Sequence, residues 1–219
     1  MQFEGTSSWR FAVSAGDDHP HLALFVRHVV GLRVGDSPDV PPRLAGAVSD
    51  HRDVLNEDER QVAQRQWTSW WAAVIRLKIQ EQEASAADLR VSPELLARRE
   101  QAGSPPDFAA LIDRPELRRA VIGTFLGAHR WLSARRIGSR GEHDALIPHR
   151  LIGQVAEDVA FDRSVDIGDV RGSAAVLDVE GSWRHLLAPG MVMCSMPAAA
   201  APDEASLILR QAFESGLQR

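Results

Sequence analysis

The sequence predicts an α+β fold, in which a mostly helical body precedes a small antiparallel β-meander near the C-terminus and a closing helix. Two patterns indicate this class. Up to about residue 165, apolar residues recur every three or four positions, which is typical of amphipathic helices. From about residue 168, short apolar runs separated by Gly and Pro turns follow, and such runs are typical of strands.

The clearest single element is a long helix predicted over residues 56–84. Its apolar positions follow alternating steps of four and three and therefore share one face: Ala63, Trp67, Trp70, Val74 and Leu77. Asn56 is a suitable N-cap, and Glu59, three residues later, can complete a capping box. No Gly or Pro interrupts the segment. Such a helix would be roughly 40 Å long.

Three tryptophans lie within five residues of this helix, at positions 67, 70 and 71. Each indole has a large apolar surface and one N–H that needs a partner when it is buried. We interpret them as core residues onto which other helices pack. The alternative is that Trp67 or Trp71 is exposed and anchors a partner, because Trp is enriched at interface hot spots.

The same signals predict further helices on both sides of the long one. They cover residues 21–34, 93–101, 114–136 and 150–161, and a last helix begins at Pro202. A short helix is also possible over residues 44–54, whereas the three prolines and the glycine of residues 37–46 indicate a loop. Gly123 and Gly127, four residues apart, would let another element approach the 114–136 helix closely.

Strands are predicted at both ends of the chain. Residues 173–179, 183–187 and 191–196 would form the meander, with Gly181-Ser182 as a two-residue hairpin turn. Residues 9–14 alternate in polarity and could join it. We therefore expect one domain over residues 1–219, with a helical body at about 15–165 and the meander and closing helix at about 168–219.

Composition restricts the class of protein. Hydrophobic residues make up 44% and charged residues 25%, as in a globular domain, and the net charge of -5 argues against a general nucleic-acid binder. The single cysteine, Cys194, excludes an intramolecular disulfide and a cysteine metal cluster. We find neither a signal peptide at the N-terminus nor an apolar run of membrane-spanning length. A cytoplasmic protein of bacterial type, without membrane contact, is expected.

Two histidine clusters are candidates for chemistry. Asp17, His19 and His21, with Asp18, could bind a divalent metal, although their place before an apolar stripe favours a helix start. The second cluster could perform general acid–base catalysis, but its spacing matches no zinc signature and a merely polar loop explains it equally: Glu142, His143, Asp144 and His149. Neither cluster predicts a cofactor.

Two further groups have simpler explanations. The three aspartates of residues 162–169 lack the oxygen spacing and glycine of a calcium loop. Cys194 and Ser195 lack the glycine elbow that presents a nucleophile, so Cys194 is interpreted as a small apolar strand residue.

The segment from Arg114 to Arg150 is strongly basic. It has eight arginines against three acidic residues, a net charge of +5. Four of the arginines fall within one third of the helix circumference: Arg118, Arg119, Arg130 and Arg136. Guanidinium groups bind phosphates and carboxylates alike, so this face could take an anion, a nucleic acid or an acidic protein. The alternative is a solvated face, paired with the acidic start of the long helix.

Three function classes remain open at this point. A non-catalytic interaction or regulatory module with a protein partner is the leading hypothesis, because helical faces are abundant and catalytic signatures are missing. A hydrolase-like enzyme with a His/carboxylate or metal site is the second. An anion or nucleic-acid binder acting through the arginine-rich helix is the third, although we do not expect nucleic acid because the chain is acidic overall.

Overall fold

A computed structural model describes residues 8–15, 18–35, 37–46, 48, 50–86, 93–103, 105, 107–138 and 146–217. The α+β class is confirmed, with a predominance of helix, a four-stranded mixed sheet and closing helices. Contacts divide the chain into a helical unit, Gly16–Gly138, and a sheet unit, Met1–Ala15 with Ser139–Arg219. That residues 1–219 form one domain stays a prediction. None of the described helices combines the length and apolar content that crossing a membrane requires.

Four α-helices build the helical unit in its described part: α1 (Asp18–Val30), α2 (Glu57–Ala86), α3 (Pro93–Ala102) and α4 (Pro115–Gly138). α1, α2 and α4 pack against one another, and α3 packs on α2. Gly123 and Gly127 lie where Val54 and Phe25 approach α4. The described residues of the stretch 44–54 include one 3₁₀ turn, Arg52–Val54, and no α-helix.

The predicted capping box is present at the start of α2. The Asn56 side-chain oxygen accepts the backbone N–H of Glu59 at 2.9 Å, and the Glu59 carboxylate accepts the backbone N–H of Asn56 at 2.9 Å. Two N–H groups that the helix leaves without partners are thereby satisfied.

The three tryptophans of α2 lie in the core, with at most 5% of any one exposed. The Trp67 indole donates to the carbonyl of Ala23 at 2.8 Å, and the Trp71 indole donates to that of Asp39 at 3.3 Å. The two rings stack, with centroids 5.4 Å apart and planes within 8°. The core interpretation is confirmed, and neither Trp67 nor Trp71 presents an exposed anchor.

The proline-rich loop is held by donors from three different helices. Arg27 of α1 donates to the carbonyls of Pro41 and Pro42, the first at 2.8 Å. Trp71 of α2 supplies the contact to Asp39, and Arg135 of α4 donates to the carbonyl of Ala45 at 2.8 Å. Burial, and then the charge of Arg43, lowers the pKa of Arg27 to about 10, which leaves it protonated at neutral pH.

The sheet unit is built on four strands: β1 (Arg10–Ala15), β2 (Arg171–Leu177), β3 (Arg184–Ala188) and β4 (Met191–Ser195). Their order is β1-β2-β4-β3. β1 joins the sheet as the sequence suggested, and it pairs parallel to β2 with Arg10 opposite Arg171. β2 also pairs parallel to β4, and only β3 and β4 are antiparallel.

The predicted antiparallel meander is therefore wrong in its pairing, since β2 and β3 are not neighbours. Gly181-Ser182 belongs to a connection between them and not to a two-residue hairpin. The residues from Ser173 to Leu177 and from Met191 to Ser195 are all buried. Such continuous apolar runs are typical of strands covered on both faces, which commonly pair in parallel. The sequence contains these apolar runs, but the Gly and Pro turns between them favoured an antiparallel meander.

Three helices complete the sheet unit: α5 (His149–Arg163), α6 (Met196–Ala200) and α7 (Pro202–Gly216). α7 packs on β2 and β4, and α5 packs on α7. Alternate residues of the central strands, including Ala174, Val176 and Val192, share one core cluster with the inner faces of α5 and α7. The helix predicted as the last of the helical body thus belongs by its contacts to the sheet unit.

Candidate functional site

One side of α4 exposes apolar and cationic side chains together. We call this surface the α4 outer face; it consists of Arg119, Ile122, Leu126, His129 and Arg130. Their spacing of three and four residues places them on one side of the helix. Ile122 is 45% exposed and Leu126 is 70% exposed. Two large aliphatic side chains four residues apart are thus open to solvent between arginines.

The solvent side of α2 is a useful comparison, because α2 belongs to the same unit. Its exposed residues in the central turns are polar or small: Gln61, Arg65, Thr68, Ser69, Ala72 and Arg76. No large hydrophobic side chain of α2 is exposed in the described structure. Exposed aliphatic residues are therefore a property of α4 and not of long helices in this chain generally.

The charges of the α4 outer face are only partly compensated. Arg119 forms an ion pair with Glu59 of α2, so the predicted pairing with the acidic start of the long helix occurs at this position. Arg118, half-exposed beside the face, donates from Nε to the backbone carbonyl of Asp107 at 2.8 Å, and a carbonyl does not neutralise its charge. Arg130 makes no ion pair within the described residues. The side chain of Arg136 lies outside them.

Two other charged residues of α4 have partners within the helical unit. Glu116, the only acidic residue of this helix, accepts a hydrogen bond from Gln66 at 2.7 Å. The Arg135 guanidinium lies over the ring of Trp131, 4.6 Å from its centroid, and burial lowers its pKa. Among the arginines of this segment, Arg119 and Arg130 are thus exposed, whereas Arg135 packs on Trp131.

A second surface lies between α5 and α7 in the sheet unit. We call this cavity of about 370 Å³ the α5–α7 groove; it is lined by Leu151, Gln154, Val155, Glu157, Asp158, Ser206, Leu207 and Arg210. Arg210 donates to Asp162 at 2.8 Å and to Glu214 at 3.4 Å, and the hydrogen bond to Asp162 is the main cause of its raised pKa. No pattern in the sequence singled out this groove.

The candidate metal cluster is only partly described. Asp17 lies outside the described residues. On α1, His21 is buried and its ring centroid is 6.0 Å from that of Trp131, while His19 is half-buried. Among the residues that the structure describes, no three His, Cys, Asp or Glu side chains are grouped to hold a metal ion. The absence of a bound metal or cofactor stays a prediction.

The candidate acid–base cluster is likewise divided. Glu142, His143 and Asp144 lie outside the described residues. His149 is the exposed first residue of α5, and its ring lies against Trp9 with centroids 4.8 Å apart. An aromatic contact of this kind positions the imidazole but supplies no catalytic partner.

Cys194 and Ser195 have structural roles in the sheet unit. Burial raises the pKa of the Cys194 thiol to about 12, so the nucleophilic thiolate is absent at neutral pH. The Ser195 hydroxyl accepts the backbone N–H groups of Trp183 at 3.0 Å and of Ala198 at 3.3 Å, the second as N-cap of α6. The interpretation of Cys194 as a small apolar strand residue agrees with this burial.

No protein-family model matches the sequence, and the searches of curated proteins and of solved structures found no match. Function therefore has to be inferred from the surfaces of the molecule.

Proposed function

We propose that the chain is a non-catalytic, cytoplasmic interaction or regulatory module that binds a protein partner through the α4 outer face. The observation that supports this most is the exposure of Ile122 and Leu126 between arginines on a helix whose opposite side is core. Helical anchors four residues apart are the usual means by which one helix face recognises a hydrophobic groove.

The apolar part of the contact is modest in energy. Covering what is exposed of these two side chains would contribute on the order of 2–3 kcal/mol. A micromolar complex requires about 8 kcal/mol. A partner must therefore also contact the surrounding side chains, among which the arginines are the strongest hydrogen-bond donors.

The charges favour an acidic partner. Arg118 and Arg130 are not neutralised within the described chain, and the outer face of α4 carries no acidic side chain. Opposite charge on a partner would steer association and define its orientation. Exposed aliphatic side chains find no counterpart on a phosphate backbone, and single-stranded nucleic acids are usually held by several aromatic platforms, whereas His129 is the one aromatic ring among the five residues of this face. A protein fits better than a nucleic acid.

The experiment compares two positions on two helices of the same unit. A photoreactive phenylalanine analogue replaces Leu126 on α4, or Ala72 on the polar side of α2, in source cells. We expect a discrete covalent protein adduct from position 126 that Arg130→Glu abolishes, and none from position 72. Equal adducts at both positions, or none at position 126, would refute the proposal.

A gel shift tests the remaining alternative, that the α4 outer face binds nucleic acid. The assay measures binding of duplex or single-stranded nucleic acid at about 150 mM salt. Binding that is lost when Arg118, Arg119 and Arg130 are changed to Gln would show that the partner is a polyanion and not a protein. The matched control is Arg65→Gln with Arg76→Gln, which removes two exposed arginines from α2.

A further inference from the structure

The α5–α7 groove combines apolar walls with uncompensated acid. Leu151 and Leu207 supply apolar surface from its two helices. Glu157 and Asp158 make no ion pair within the described residues, whereas the charge of Arg210 is taken up by Asp162 and Glu214. The groove therefore fits a helix that is apolar in its centre and cationic at its edges.

The apolar surface extends beyond the groove itself. Phe161 of α5 is 86% exposed and continues the ridge of Leu151, Gln154 and Asp158 at helical spacing. Leu207 of α7 is 47% exposed. Of the seven large hydrophobic side chains exposed in the described structure, four lie on the α4 outer face or along this groove. These two surfaces thus hold more than half of the large hydrophobic side chains that are exposed in the described structure.

The α4 outer face and the α5–α7 groove are complementary in apolar surface and in charge. The α4 outer face is apolar in its centre, at Ile122 and Leu126, and cationic at Arg119 and Arg130. We infer that the partner is a second copy of this chain, whose α5–α7 groove receives the α4 outer face of the first. This inference rests on the proposed function, since it names the partner of the same face.

Charge also disfavours contacts between two copies of the same surface. Two α4 outer faces in contact would oppose arginines to arginines, and two grooves in contact would oppose carboxylates to carboxylates. A single face-to-groove contact leaves one free groove and one free face in each pair of copies. Association of this type therefore closes in a reciprocal pair, in which each groove takes the face of the other copy, or continues into larger rings or open chains.

The test uses two variants that each lack one surface. Leu126→Glu with Arg130→Glu removes the face, and Asp158→Arg with Leu207→Arg removes the groove. All four side chains are at the surface, and circular dichroism with thermal unfolding checks that each variant is folded. The matched control, Ala72→Glu with Arg76→Glu, places the same charges on α2.

Sedimentation velocity over a range of concentrations provides the readout. We expect the wild type and the α2 control to associate, and each surface variant alone to be monomeric. An equal mixture of the two variants should form a 1:1 dimer and nothing larger, because only one intact face and one intact groove remain.

Two results would overturn the inference: a wild type that stays monomeric, or variants that do not complement each other when mixed. A monomeric wild type together with a photo-adduct from position 126 to a different protein would refute self-association alone. Absence of both the adduct and the association would refute the proposed function as well.

Discussion

Glu59 at the start of α2 and Arg119 on α4 form an ion pair through the same carboxylate oxygen that accepts the backbone N–H of Asn56. One oxygen thus completes the capping box and joins two helices. The hydrogen bond from Arg119, followed by that from Asn56, lowers the pKa of Glu59. Because the pair is exposed, it contributes little stability. It neutralises Arg119, whereas Arg118 and Arg130 make no ion pair within the described residues.

The capping box predicts a specific loss when Asn56 is changed. Asn56→Ala should lower the free energy of unfolding by about 0.5–2 kcal/mol, because the N–H of Glu59 loses its acceptor. Asn56→Asp keeps a side-chain oxygen at this position and should remain near the wild type. Urea unfolding followed by circular dichroism measures both, and equal midpoints for the Ala and Asp variants would refute the role of the cap.

The tryptophan core predicts a much larger effect. Trp70 is 1% exposed, so Trp70→Ala should lower the free energy of unfolding by about 3–5 kcal/mol through lost burial and the cavity that remains. Arg76→Ala, on the exposed side of the same helix, should change it by no more than about 0.5 kcal/mol. A denaturant midpoint unchanged in Trp70→Ala would contradict the position of α2 in the core.

Changing either of two glycines of the sheet unit to alanine should alter the free energy of unfolding, in opposite directions for the two positions. A Cβ at Gly216 would lie 2.6 Å from the carbonyl oxygen of Arg171, so Gly216→Ala must displace backbone and should cost about 1–3 kcal/mol. A Cβ at Gly153 would meet only Trp9 at an ordinary 3.7 Å. Gly153→Ala should stabilise α5 by up to about 1 kcal/mol through helix propensity. Thermal unfolding of the two variants checks the contrast.

The environment of Cys194 predicts its reactivity. The thiol is buried and its pKa is raised to about 12, so a thiol reagent at neutral pH should leave the folded protein unlabelled. In strong denaturant the same reagent should label one thiol per chain, since the sequence contains a single cysteine. Rapid labelling of the native protein would contradict the burial of Cys194 in β4.

We also predict that the protein carries no stoichiometric zinc or calcium when it is purified without chelators. Elemental analysis tests this directly. About one metal ion per chain would redirect attention to Asp17, His19 and His21, or to His143 and His149, as ligands.

Helix positions could be predicted from the sequence, because they depend on interactions between residues three or four apart, but the ends of α1 were wrong: it spans Asp18–Val30 and not residues 21–34. The stripe of Trp67, Trp70 and Val74, the capping box at Asn56 and the start of α7 at Pro202 are all of this local kind. The α+β class followed from the same signals.

Strand pairing could not be predicted in this way. The residues of β2 favour a strand equally well beside β3 or beside β4, since local propensity does not select a partner. Burial on both faces selects the parallel pairing of β2 with β4, and that burial depends on helices packed from elsewhere in the chain.

Local pattern was enough to predict α4 as an arginine-rich amphipathic helix. Which of its arginines remain available depends on tertiary contacts, because Arg135 donates to the carbonyl of Ala45 and Arg119 pairs with Glu59. The α5–α7 groove was beyond any local pattern. Its cation, Arg210, lies 48 residues from Asp162, and only the packing of α5 on α7 brings the two side chains to 2.8 Å.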